Sequence, residues 1–187
     1  KGKFVTIEGP DGAGKTTQVK KISDYLKSRG FKVLVTREPG GTPLGEKLRE
    51  VLLTSEGENP VPEAEALIYA ASRAQLVKKV IEPALDKGFI ILCDRFVDSS
   101  LAYQGWARGV GIEELARING WFLQDIWPDL TIVLDIDPAQ SLNRLSGKKD
   151  RLENETLDFH RKVREGFLKL KDLYPQRIKI VDAAQNP

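Results

Sequence analysis

Cysteine and histidine each occur once in the 187 residues, and no apolar run comes near the length that a bilayer span needs. A single cysteine excludes a disulfide within the chain. Cys93 follows the apolar run Phe89-Ile90-Ile91-Leu92, which reads as a strand carrying a buried thiol rather than a nucleophile. Without about 18 consecutive apolar residues no membrane-spanning helix is expected, and the opening Lys1-Gly2-Lys3-Phe4 leads into a strand rather than into the apolar core of a signal peptide. A cytoplasmic location is therefore expected. Charge of one sign is lacking too: 29 basic and 27 acidic side chains, spread along the chain, leave +2 and no footprint for nucleic acid or a membrane surface. Repeats, low-complexity tracts and linkers rich in Pro, Gly and Ser are also missing, so one domain over 1–187 is expected. The chain has no initiator methionine and stops at Asn186-Pro187 just past a strand-like run, which leaves room for a further helix.

What is present is the composition of an ordinary globular chain, 41% apolar and 30% charged, long enough to bury a sizeable core. Five short β-branched runs read as strands: Phe4 to Ile7, Val33 to Val35, Phe89 to Cys93, Thr131 to Ile136 and Ile178 to Val181. Helical spacing separates them, at Val19, Ile22, Leu26; Leu44, Leu48, Val51, Leu52; Ala64, Leu67, Ile68, Ala71; Ile112, Leu115, Ala116; and Phe159, Val163, Phe167, Leu170. Strand alternating with helix predicts a mostly parallel sheet. Gly30 is placed to cap the first helix at its C-terminus, and Asp137-Pro138 offers an N-cap with proline in the first helical position. Ligands of such sheets bind beyond the carboxyl ends of the strands, so the segments after Ile7, Thr36, Cys93 and Ile136 should face a site.

The first of those segments, Gly9-Pro10-Asp11-Gly12-Ala13-Gly14-Lys15-Thr16, fits G-x-x-x-x-G-K-S/T between a strand and an amphipathic helix, the context of a P-loop. Its glycines let backbone N–H groups turn toward phosphate oxygens, Lys15 can reach the β- and γ-phosphates, and the Thr16 hydroxyl can ligate Mg²⁺. No N-K-x-D guanine motif is present. The third strand ends in Asp94-Arg95-Phe96, where an acid beside an arginine suits a magnesium partner next to a phosphate clamp; by itself the pair also reads as a surface ion pair.

With these motifs, Ile7 to Thr17, Thr36-Arg37-Glu38-Pro39-Gly40-Gly41-Thr42, Tyr69 to Arg73, and Asp94-Arg95-Phe96 followed by Ser99-Ser100-Leu101-Ala102-Tyr103-Gln104-Gly105, the chain resembles bacterial thymidylate kinase from the first strand to about Leu170. The resemblance implies a three-layer P-loop NTPase fold with a five-stranded parallel sheet flanked by helices. It implies transfer of the ATP γ-phosphoryl group to dTMP with Mg²⁺ as cofactor, and a homodimer. Gly9 through Thr17 would bind the ATP phosphates, and Thr16 with Asp94 would hold the metal. Lys15, Arg95, Asp11 and a lid arginine would be the catalytic groups, with Arg95 clamping the acceptor phosphate and Asp11 beside the acceptor's sugar. Tyr69 would stack on thymine, Arg73 would donate to a thymine carbonyl, and Ser100 and Gln104 would lie at the pyrimidine edge. Tyr103 would favour deoxyribose, and Glu38, Pro39, Arg49 and Leu52 would line the rest of the pocket. Read without the family, Tyr69 and Tyr103 are half-buried aromatics and Arg49 a solvated helix residue.

Some members of that family carry arginine directly after the P-loop acid, where this chain has Gly12, so a lid must supply the cation. The basic, glycine-containing segment 144–153 is the expected lid, with Arg151 first and Arg144, Lys148 and Lys149 behind it; the segment also reads as an exposed charged loop. His160 falls on a polar part of its helix and is expected to be solvated, with no role. A phosphate acceptor already presents a nucleophilic oxygen, its second pKa being about 6, so the scarcity of histidine is consistent with a nucleotide acceptor. Two other readings stay open: a deoxynucleoside kinase using Glu8 or Asp11 as base, and an ATP-binding switch acting through a partner.

Overall fold

The computed structural model describes residues 2–54, 57–145, 147 and 149–185. Five parallel strands, β1 (Lys3–Glu8), β2 (Val33–Arg37), β3 (Ile90–Asp94), β4 (Leu130–Asp135) and β5 (Ile178–Asp182), form one sheet in the order β2-β3-β1-β4-β5. The central strands are apolar along nearly their whole length because helices cover both faces of the sheet. Alternate side chains serve opposite layers: Phe4, Ile91, Cys93 and Val133 join one core, while Ile7, Leu92 and Leu134 join the other with Val19. The expected architecture is thus the observed one, and Cys93 is a fully buried strand thiol.

The helices are α1 (Lys15–Ser28), α2 (Pro43–Leu53), α3 (Pro62–Leu76), α4 (Glu82–Asp86), α5 (Val97–Ser100), α6 (Ile112–Leu123), α7 (Pro138–Leu142) and α8 (Leu157–Leu173). A π-helical turn, Val77–Ile81, joins α3 to α4, and α5 runs on as a π-helical stretch, Leu101–Ala107. Such stretches concentrate at functional sites. This one carries Tyr103 and Gln104. The expected caps are present: Gly30 has φ +85° just past α1, and the Asp137 carboxylate accepts from the Ala139 and Gln140 amides at the start of α7.

Two expectations change. The apolar stripe of α3 is not its buried face: Leu67 is 54% exposed, while Glu65, Tyr69, Ser72 and Arg73 are buried. The buried side of the helix is mixed: Ala66, Tyr69 and Leu76 join the core, while Glu65, Ser72 and Arg73 meet buried polar partners. His160 is 1% exposed and not solvated, since α8 packs closely on the Leu101–Ala107 stretch. Gly166 permits that approach, as a Cβ there would lie 3.0 Å from the Ala102 Cα. Neither ring nitrogen of His160 meets a hydrogen-bond partner among the described residues.

Burial disfavours the imidazolium and holds the His160 pKa below the ordinary 6.5. On acidification below 6.5 the unfolded chain therefore takes up this proton first, and stability falls. Urea unfolding of His160→Leu at about pH 7.5 and about pH 5.5 should show a smaller acid loss than the parent. Equal losses in both proteins would return His160 to a solvated position.

Candidate active site

The carboxyl ends of β1, β2 and β3 open into a cavity of about 1230 Å³. That exceeds the usual range for one small ligand, about 300–1,000 Å³. At one end lies the loop between β1 and α1, with Asp11, Gly12, Gly14, Lys15, Thr16 and Thr17 lining the cavity. Gly9, Pro10 and Ala13 complete the turn behind them. No side chain caps the first turn of α1, which leaves its amides free for an anion. Gly12 has φ +78°, and a Cβ there would lie 2.0 Å from the Ser141 carbonyl oxygen, so α7 packs where a side chain would go. The Lys15 ammonium folds back onto the Pro10 carbonyl at 2.8 Å. Burial and then Arg95 pull it down to about 8, against the pull of Asp11, Asp94 and Glu8. A polyphosphate entering the loop favours the charged form.

Thr16 Oγ1 donates to Asp94 Oδ2 at 2.7 Å. A hydroxyl and a carboxylate are hard oxygen donors, and among the described residues no group of three or more His, Cys, Asp or Glu gathers as a closed metal cage. Two protein oxygens beside a phosphate loop fit Mg²⁺, which keeps several waters and takes phosphate oxygens as further ligands.

Arg95 stands at the junction of the loop and the outer cavity in a left-handed backbone conformation, φ +69°, which few non-glycine residues adopt. Its amide bonds the Ile7 carbonyl, and its guanidinium reaches the Gly9 carbonyl at 2.9 Å, Ser99 Oγ at 3.1 Å and Asp11 Oδ1 at 2.5 Å, while lying over the Tyr103 ring. Tyr103 donates to the other oxygen of Asp11 at 2.9 Å. Burial opposes ionisation of Asp11, yet Arg95 and Lys15 hold its carboxyl down at about 2. Behind this cluster Glu8 accepts from the Phe96 amide and the Ser99 hydroxyl.

The outer half of the cavity is built on Arg73, which is 1% exposed. Its guanidinium donates to Glu38 at 2.8 Å, Asn119 Oδ1 at 2.7 Å and Ser100 Oγ at 2.8 Å. Burial pushes the Glu38 carboxyl up to about 7 against the pull of Arg73. Pro39, Tyr69, Ser100, Tyr103 and Gln104 line the same region, and Arg49 lines it while bonding the Pro39 carbonyl. Sequence reasoning missed Asn119 and Glu65. Asn119 had a signal, being a polar residue in step with Ile112, Leu115 and Ala116, whereas Glu65 lies off the apolar stripe of α3 and had none.

Two placements differ from expectation. Leu52 is fully buried in the core, and its neighbour Leu53 lines the cavity instead, one step round the helix. Arg151 is not a free lid cation: it is 8% exposed, pairs with Glu65 at 2.5 Å and donates to the Leu52 carbonyl. A buried carboxylate and a helix C-terminus claim it. Arg144 is exposed and lines the cavity, and Lys149 is exposed. Lys148 lies outside the described residues.

The fold and the loop define a P-loop NTPase in which the phosphate loop opens into a second, polar pocket. A family model described as thymidylate kinase matches residues 7–187. The chain is 50% identical to the thymidylate kinase of Caldanaerobacter subterraneus over 187 residues, covering 99% of this chain and 89% of that one. It is also 50% identical to the thymidylate kinase of Deinococcus radiodurans over 186 residues, 98% of this chain and 90% of the relative. The crystal structure of thymidylate kinase from Ehrlichia chaffeensis superposes with a TM-score of 0.80 at 34% identity, over 97% of this chain and 93% of that one. The chain belongs to the thymidylate kinase family.

Burial, followed by the nearby Asp98, raises the Glu8 carboxyl above its ordinary 4.5. The folded chain thus holds this proton more tightly than the unfolded one, and the stability it contributes is complete below 4.5 and lost as pH rises above it. The slope approaches about 1.4 kcal/mol per pH unit. Glu8→Gln keeps an acceptor for Phe96 and a polar group for Ser99, so its denaturation profile should be flatter above pH 4.5. A variant as pH-dependent as the parent would contradict this protonation state.

Proposed function

We propose that the chain, as a single nucleoside-monophosphate kinase domain with a lid over about 144–153, transfers the γ-phosphoryl group of ATP to dTMP, giving dTDP and ADP. The observation that carries the reading is the Arg95, Asp11 and Tyr103 cluster, which joins the phosphate loop to a separate polar pocket inside one cavity. Two nucleotides bound end to end would meet at Arg95.

The loop amides and Lys15 bind the β- and γ-phosphates, and the Arg95 fork holds the acceptor phosphate, already tethered so that little reorganisation is needed. Thr16 and Asp94 would hold Mg²⁺, which would neutralise charge on the phosphate oxygens. Asp11 fixes Arg95 and aligns the acceptor with Tyr103, which crowds the position of a ribose 2′-hydroxyl. Tyr69 stacks on the base, and Arg73, Ser100 and Gln104 read its edge with Glu38, Pro39, Arg49 and Leu53 around them. Arg144 replaces Arg151 as the lid cation, with Lys149 beside it. No general base is required, because the acceptor oxygen belongs to a phosphate of second pKa about 6. A buried, proton-retaining Glu8 and an Arg-paired Asp11 of low basicity disfavour a nucleoside hydroxyl as acceptor. We read the protein as a cytoplasmic homodimer without nucleic-acid or membrane partners.

An ADP-release assay with MgATP against dTMP, dUMP, thymidine, AMP, GMP and no acceptor should show turnover with dTMP and a dTDP product by mass. Lys15→Ala and Arg95→Ala should each lower that turnover by about 10³-fold or more while the fold is retained. Turnover with thymidine alone, acceptor-independent ADP release, or near-normal rates in either variant would overturn the proposal.

A further inference from the structure

Glu65, in the first turn of α3, lies outside the cavity wall, is 1% exposed and has no part in the chemistry above. Its Oε2 accepts from the Arg151 guanidinium at 2.5 Å. Its Oε1 accepts from Gln104 Nε2 at 2.7 Å and, more distantly, from Arg108. Arg108 also pairs with Glu155 at 2.5 Å, so the same carboxylate ties α3 to the turn before α8.

A carboxylate paired with a guanidinium can only accept, so the Gln104 amide must meet it with its NH₂ group. The carbonyl oxygen of Gln104 is then the group left for the cavity that Gln104 lines. An acceptor in that place suits a base edge that donates N–H, as the N3 of a diketo pyrimidine does. It opposes an edge that presents a lone pair, as the N3 of cytosine does.

We propose that Glu65 is a positioning residue that fixes the sense of the Gln104 amide and so sets the preference for a diketo over an amino pyrimidine. The inference rests on reading the outer half of the cavity as the base pocket. Glu65→Gln reverses the pattern at constant shape. Arg151 claims the single carbonyl of the new amide, whose NH₂ then faces Gln104 and turns the Gln104 NH₂ toward the base.

The test compares kcat and KM for dTMP, dUMP and dCMP in the parent and in Glu65→Gln. The expected result is a fall of about tenfold or more in the ratio of kcat/KM for dTMP over dCMP, carried mainly by KM, with the dTMP to dUMP ratio unchanged. A merely structural defect would lower all three acceptors in parallel, and that outcome, or an unchanged dTMP to dCMP ratio, overturns the proposal. If Glu65→Gln does not fold, the parent decides: with ¹⁵N labelling, the Gln104 side-chain NH₂ signals, assigned from their loss in Gln104→Leu, should stay protected from exchange when dTMP binds. Loss of that protection on binding overturns the proposal. Absence of any pyrimidine nucleotide turnover in the parent would instead remove the base-pocket reading on which it rests.

Discussion

A single guanidinium, that of Arg95, holds the two halves of the cavity in register. It is tied to the loop through the Gly9 carbonyl and Asp11, to α5 through Ser99, and to the π-helical stretch by lying over Tyr103. Those ties explain how a left-handed arginine persists at the end of β3: the surrounding bonds determine its conformation and offset the local backbone strain. They also fix Asp11 and Tyr103, since both oxygens of that carboxylate are engaged. The guanidinium proposed to clamp the acceptor phosphate is therefore fixed in place by the protein alone, which is the condition under which a cation lowers a barrier most.

The outer pocket follows a different logic. Arg73 with Glu38 and Asn119, and Glu65 with Gln104 and Arg151, are charged and amide groups almost wholly removed from water. Buried pairs of this kind add little net stability, because desolvation offsets attraction. What they give is fixed orientation. Side chains that line the outer pocket are held by ones outside its wall: Asn119 holds Arg73, with Glu38 beside it, and Glu65 holds Gln104. The Arg151 pairing also anchors the turn preceding α8 to α3 and to the end of α2.

Much of this was legible in the sequence. Continuous apolar runs gave the strands, and Gly9 to Thr16 behind a strand gave the phosphate loop, because those patterns are local. Asp94-Arg95 at the end of a strand already suggested a metal partner beside a phosphate clamp, but the roles of Asp11, Tyr103 and Gln104 were legible only through resemblance, since nothing local says that residues 11 and 95 meet. What misled was the assumption that apolar periodicity marks the buried face. In α3 the buried face carries Glu65, Tyr69, Ser72 and Arg73, and around His160 a charged stretch conceals a core position. Arg151 was misplaced for the same reason: a basic loop residue looks free until its buried carboxylate partner, 86 positions away in sequence, is known.

The central claim is that both nucleotides occupy the one cavity together and meet at Arg95. Initial rates measured over a grid of ATP and dTMP concentrations test it most directly. The account predicts lines that intersect in double-reciprocal form, as a ternary complex requires, and a set of parallel lines, the signature of a phosphorylated protein intermediate, would contradict it.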